Sequence, residues 1–260
     1  MNTLSKIDLC INADDYGFST PISDGILEMM KQGLVSSTSV MVQNADDARM
    51  KLLSEKENIS VGLHFNLAST KNNFTPFLNS PFKIAQQFYF KKLKLSTLEK
   101  ELEAQYNQLK RTYSRPITHI DTHQHIHIIP KVAGLLNEFA KQHNIPYVRL
   151  GREISPDGGI KKWLFNNSAS SLKNELPVFG LNIMGENFTS EKLKKQFQFL
   201  HANNVTKALW IVHPGYETTS VDFADSYNKQ RVNEMQVLSE LKDFIYLNAR
   251  IVPLTKIYGS

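Results

Sequence analysis

Residues 7–33 read IDLCINADDYGFSTPISDGILEMMKQG, and the change of period inside them decides the fold. Ile7 to Ala13 is an apolar run of strand length. The segment SDGILEMMKQG has helical spacing, and Gly33 stands where a helix would end. Between the two lies a polar cluster, Asn12 to Gly17, at the C-terminal end of the strand. Together they make one β/α unit, and the unit recurs. Further strands are expected at Val35–Val42, Ile59–Leu67, Ile117–Asp121, Tyr147–Leu150, Val178–Met184, Ala208–Val212 and Arg250–Leu254.

Helical segments fall between them. One lies around Asp46–Lys56, and another carries Leu98, Leu102, Tyr106, Leu109 and Tyr113 as a single apolar stripe. Pro130 opens a third, with Val132, Leu135, Leu136 and Phe139 inward. The last two are Glu191–His201 and about Lys229–Leu247. Eight strands alternating with helices imply a parallel sheet, and at 260 residues the economical closure is a barrel. The expected fold is therefore α/β, a single-domain distorted (β/α) barrel, TIM-barrel-like, with an open doubly wound sheet as the alternative. One connection, about Ala68 to Leu95, is long enough to shape a site. Its aromatics Phe74, Phe77, Phe82, Phe88, Tyr89 and Phe90 are available to stack on sugar rings, although packing of the loop accounts for most of them.

Bulk properties narrow the function. Apolar residues at 41% and charged ones at 21% describe an ordinary globular chain. The net charge of +5 is spread among acidic residues, so nucleic acid is not an expected partner. The lone Cys10 cannot form an intrachain disulfide, and its apolar surroundings suggest a buried, inert thiol. No apolar run has the length of a membrane span and the N-terminus has no signal-peptide pattern, so no membrane partner and a cytoplasmic setting are expected.

Four polar clusters end four of the strands: NADDYG (Asn12–Gly17), GLHFN (Gly62–Asn66), HIDTHQHIHI (His119–Ile128) and VHPGY (Val212–Tyr216). In parallel β/α proteins that end of the sheet is where sites are built. Taken singly, each has a bland explanation. Asp14–Asp15 could cap a helix, His64 could be a hydrogen-bonded core histidine, and His213 could serve a turn. The third cluster resists that treatment. If extended, it places His119, Asp121, His123, His125 and His127 on one face, and a divalent metal would satisfy several of them. No nucleophile elbow, phosphate loop or G-x-G-x-x-G occurs, which turns the reading toward metal-assisted hydrolysis.

The ordered set NADDYGFS, GLHFNL, THIDTHQHIHIIP and HPGY resembles the signature blocks of the YdjC-like carbohydrate deacetylases, a group with chito-oligosaccharide and hopanoid-associated members. The resemblance runs from about Lys6 to Tyr216. It implies a distorted β/α barrel, one divalent metal (Zn2+ or Mg2+), an acetylated sugar as substrate and a homodimer. It makes Asp15, His64 and His123 the metal ligands and Asp14 the carboxylate that activates water. His213 becomes the general acid or a support for the acetyl oxygen. Asp121, His125, His127 and Arg149 become substrate contacts or supports, with Gly151 standing where the family pattern has proline. Two other functions fit the residues: a metal hydrolase acting on phosphoesters or non-sugar amides, and a carbohydrate-binding protein without catalysis.

Overall fold

The computed structural model describes residues 5–167, 176–219 and 227–258. Among these, eight parallel strands form one sheet: β1 Ile7–Tyr16, β2 Ser37–Val40, β3 Ser60–Phe65, β4 His119–Thr122, β5 Tyr147–Val148, β6 Val178–Phe179, β7 Lys207–Val212 and β8 Ala249–Ile251. The hydrogen-bonded path runs β5-β4-β3-β2-β1-β7-β6. A single parallel bridge from Glu153, five residues beyond β5, to Val178 of β6 brings the two ends of that path together. The expected α/β barrel is what forms, and its distortion has a visible source. Strand β8 pairs with Ile7–Leu9 of β1 while β2 pairs only from Asn12 onward, so two strands share one edge of β1.

Alternation along β1 separates two environments. Ile7, Leu9, Ile11 and Ala13 join the large apolar cluster between sheet and helices. Cys10 instead joins Tyr147, Val178, Leu209, Ile211, Leu254 and Ile257 in a second cluster on the opposite, inner face. Burial lifts the Cys10 thiol to about 12, as an inert buried thiol requires. Two and four residues further along that inner face come Asn12 and Asp14. The barrel is apolar at its base and polar at the mouth.

The helices pack on the outer face and behave largely as expected. Helix α1 (Thr20–Lys31) starts at Ser19, whose hydroxyl accepts the Ile22 N–H, and Gly33 follows it at φ 76. It is followed by α2 (Asp47–Ser54). The long connection contains its own helix, α3 (Pro81–Tyr89), capped by Ser80. Phe74, Phe82, Tyr89 and Phe90 there are exposed, so the expectation that most of its aromatics pack the loop fails. Helix α4 (Leu95–Thr112) buries Leu98, Leu102, Tyr106 and Leu109, and with them two polar residues, Glu101 and Gln105. The Gln105 amide pairs with both the N–H and the C=O of Asn66, and Glu101 accepts the Phe74 N–H, so α4 holds the start of the connection.

Pro130 does open the next helix, α5 (Pro130–Gln142), and α6 (Ile160–Asn167) and α7 (Ser190–Ala202) follow in turn. Three expectations need correction. The sixth strand is two residues, not seven, because Gly180 at φ 132 turns the chain away. The last helix breaks at Leu241 into α8 (Asn228–Glu240) and α9 (Lys242–Asn248). The histidine run is not one extended strand: β4 ends at Thr122, and His123–Ile128 form a tight helical turn with Gln124 and His125 both at φ 54. The five-residue alternation therefore stops at Asp121. Among the described residues no helix is long and apolar enough to cross a membrane.

Candidate metal centre

Asp14 and Asp15 stand just before the end of β1, and neighbouring strand residues would ordinarily face opposite sides of the sheet. Asp15 has φ 70, a left-handed conformation that Asp tolerates better than most residues. That turn lets both carboxylates serve one site. Asp15 Oδ1 lies 3.3 Å from His64 Nε2 on β3 and 3.1 Å from His123 Nδ1 at the start of the turn after β4. Its other oxygen, Oδ2, accepts a 2.7 Å hydrogen bond from Arg231 on α8. Asp15 is buried, which alone would raise its pKa, but Arg231 and His123 hold it well below the usual carboxylate range.

Asp14 has different company. Arg149, just past β5, donates to both its oxygens at 2.6 and 2.7 Å, and Asn12 donates at 2.7 Å. The same guanidinium reaches Asp121 Oδ2 at 2.9 Å. Burial again works toward the neutral form, yet Arg149, with His64 behind it, keeps Asp14 ionised far below the ordinary range. His213, at the end of β7, brings Nε2 to 3.8 Å from Asp14 Oδ2. Its backbone N–H is tied to the buried Glu234 of α8 at 2.6 Å, and its ring stacks on Tyr227.

Asp121 holds His64 from behind. Its Oδ1 is 2.5 Å from His64 Nδ1, so the other ring nitrogen, Nε2, is turned toward Asp15. A carboxylate on one imidazole nitrogen and a cation on the other is a recurrent ligand arrangement. Burial would strip the His64 proton, but Asp121 and Asp14 push its pKa up to about 10. The surrounding carboxylates thus reserve a place for positive charge at His64, which either a proton or a divalent cation fills.

The donor set tests whether a metal fits. One oxygen of Asp15, one nitrogen of His64 and one of His123 all lie within 4.8 Å of one another, and the same holds for Asp14, His64 and Asp121. The second trio already shares the Arg149 guanidinium, which would repel a further cation. In the first, Arg231 occupies only the far oxygen of Asp15, leaving Oδ1 facing two imidazoles. Asp15, His64 and His123 therefore fit a divalent metal better.

The remaining candidates fall beside this centre. His125 and His127 lie on the turn, edge-on to each other and to Phe165 of α6, with His127 Nδ1 2.6 Å from the Thr122 hydroxyl. Burial pushes His125 down to about 3 and His127 well below its normal range, so both rings are neutral. His119 is inside the barrel and neutral as well, lowered by burial to about 4. Residue-by-residue reading did not single out Arg231, Glu234, Ser39 or Asn12. The first two carry a faint signal: charged residues four and one positions before Met235, on the buried face of α8.

A parallel β/α barrel that gathers carboxylates, imidazoles and guanidinium groups at the C-terminal ends of its strands defines a barrel protein with a candidate metal centre. The chain belongs to the YdjC-like protein family, whose pattern matches residues 8–244. It is 25% identical over 238 residues to a chitooligosaccharide deacetylase of Yersinia enterocolitica, covering 89% of this chain and 90% of that one. It is 27% identical over 255 residues to a carbohydrate deacetylase of Clostridium beijerinckii, covering 95% and 97%. Among solved structures, a protein of Enterococcus faecalis V583 provisionally assigned to cellobiose-phosphate cleavage superposes with TM-score 0.73 at 20% identity, covering 98% of this chain and all of that one. A peptidoglycan N-acetylglucosamine deacetylase superposes with TM-score 0.55 at 13% identity, covering 99% and 90%. At such identities these two structures speak to the fold.

Proposed function

We propose that this chain is a single-domain, metal-dependent carbohydrate deacetylase, which hydrolyses the acetyl amide of N-acetylated sugars of the chito-oligosaccharide type and releases acetate. The observation that carries the reading is the division between adjacent carboxylates. Asp15 turns one oxygen to two imidazoles, while Asp14 is gripped by Arg149 and faces His213. The names of the Yersinia and Clostridium relatives point to the same chemistry.

Asp15, His64 and His123 would hold the cation, Zn2+ or Mg2+, which supplies Lewis acidity toward a carbonyl and an acidified water. Asp14 accepts the proton of the attacking water. Because Arg149 keeps it ionised, Asp14 meets the water as a carboxylate. His213 protonates the departing amine or steadies the acetyl oxygen, its position set by Glu234 and Tyr227. Arg149 and Asp121 orient the groups that act. His125 Nδ1 and His127 Nε2 are buried with no hydrogen-bond partner among the described residues, and the two rings support the turn that carries His123. A cytoplasmic setting belongs to the same proposal.

The test is acetate release from N-acetylglucosamine oligomers, run beside phosphoesters and simple amides, with metal content measured on the same samples. Acetate release that needs bound metal supports the assignment. Turnover of phosphoesters alone would replace it.

A further inference from the structure

Behind the centre, between Asp14 and Asp121, lies a chain of buried polar groups that the proposed reaction leaves without a role. Ser37 Oγ donates to Asn12 Oδ1 at 2.6 Å, which fixes the orientation of the Asn12 amide. Asn12 Nδ2 then has two hydrogens and two acceptors, Asp14 Oδ1 at 2.7 Å and Ser39 Oγ at 2.9 Å. Ser39 Oγ sits 3.2 Å from His119 Nε2 and donates to Asp121 Oδ2 at 2.5 Å. Asn12, Ser37, Ser39, His119 and Asp121 are all buried, so each unmade bond here would cost the desolvation of its group.

Counting protons gives the chain a direction. Ser39 Oγ gives its one proton to Asp121 Oδ2 and accepts from Asn12 Nδ2, so toward the His119 ring nitrogen 3.2 Å away it can only accept. His119 then carries its proton on Nε2 and donates to Ser39. The Asn12 and His119 donors fill the lone pairs of Ser39, and Thr118 Oγ1, which is 3.0 Å from Val61 O, also lies 2.9 Å from the other ring nitrogen of His119. The other oxygen of Asp121 takes the Nδ1 proton of His64. That leaves His64 Nε2, on the side facing Asp15, as the nitrogen that can take a cation.

We propose that Asn12 and Ser39 are positioning residues that form one bridge between Asp14 and Asp121, orienting the water-activating carboxylate and the metal-holding face of His64 together. The proposal rests on the reading of Asp15, His64 and His123 as the metal ligands. Neither residue touches the reacting atoms; each acts through a carboxylate.

Zn2+ titration against a chromophoric chelator tests it. Asn12→Leu and Ser39→Ala each weaken Zn2+ binding by about tenfold or more. The double variant is little worse than the weaker single one, because both break one chain. Ser39→Thr, which keeps the hydroxyl, restores binding. If folded Asn12→Leu and Ser39→Ala bind Zn2+ within about twofold of the parent, the bridge is only structural and the proposal falls. Ring 15N NMR of the unaltered protein gives a check that no folding defect can blur. His119 is expected to be protonated at Nε2 and, in the Zn2+-loaded protein, His64 at Nδ1; the opposite tautomer at either overturns the chain. An unaltered protein that binds neither Zn2+ nor Mg2+ would overturn the metal reading first, before any variant is made.

Discussion

Arg149 spans the mouth of the barrel from β5 and clasps both carboxylate oxygens of Asp14, while one arm also reaches Asp121. All three side chains are buried. Removing the guanidinium would take from two buried carboxylates the cation they share, leaving Asp14 only the Asn12 amide within hydrogen-bond reach. Arg149→Met should therefore lower the unfolding free energy by about 3–5 kcal/mol in urea titrations of the metal-free protein. Arg149→Lys restores a charge without the planar fork and should recover only part of the loss. A loss below about 1 kcal/mol for the Met variant would show that the pair contributes little.

Asp14→Asn keeps the size of the side chain and removes its basicity. Acetate release should fall by about 10²- to 10⁴-fold while bound metal is unchanged. Near-normal hydrolysis by this variant would remove Asp14 from the base role.

His123→Ala and His64→Ala should each lose the metal in equilibrium dialysis, since each takes one of three donors from the centre. The two should differ in stability. Loss of His64 also deprives Asp121 of a partner, whereas His123 stands at the more open edge. Full metal occupancy in either variant would move the centre elsewhere.

The acid side of the stability curve should report the neutral histidines. His125 titrates at about 3 when folded and at its ordinary 6.5 when unfolded, so the unfolded chain binds the proton first. Its contribution is present above pH 6.5 and is lost as pH falls from there toward 3, by up to about 1.4 kcal/mol per pH unit. With chelator present, His125→Gln should flatten the fall between pH 6 and pH 4 by about one group's share. An unchanged slope in urea titrations would mean that His125 is already protonated in the folded protein.

Gly62→Ala tests how tightly the inner face is filled. A methyl at this β3 position would meet ring atoms of His119 at 2.3 to 2.5 Å. The strand or the ring must shift, at about 1–3 kcal/mol, and His64 lies only two residues further along the same face. A lowered melting temperature together with weaker metal binding is the expected pair of results. A neutral outcome in both would show that the ring moves freely.

Much of this was legible because strands and helices leave periodic traces. The eight strands and the ends of α1 and α5 follow from apolar runs, Gly33 and Pro130. The clusters at strand ends pointed to residues that do converge, Asp14, Asp15, His64, Asp121, His123 and His213, while Arg149 entered only through the family resemblance. The histidine run misled because alternation describes a strand only while the backbone stays extended. Gln124 and His125 at positive φ end that condition, and neither residue type announces it. The partners Arg231 and Glu234 were missed for another reason. They sit on a helix that reaches the centre only through tertiary packing, and local pattern carries no record of what a helix faces. Ser39 was hidden by the ordinariness of a small polar residue in a strand, and Asn12, though inside the first polar cluster, was overshadowed by the two carboxylates after it.

Strand β8 bears on how the protein is made. It supplies no group to the centre, yet Val252 donates its N–H to Leu9, the Val252 carbonyl accepts from Ser36, and Leu254 and Ile257 fill the base of the barrel. Strand β1 therefore waits for residues 249–252, far along the chain, before its edge is complete. During translation the nascent chain must hold an unfinished sheet, apolar side exposed, until residues near 257 leave the ribosome. Expression and chaperone demand should accordingly be more sensitive to changes at Val252, Leu254 and Ile257 than their distance from the chemistry suggests.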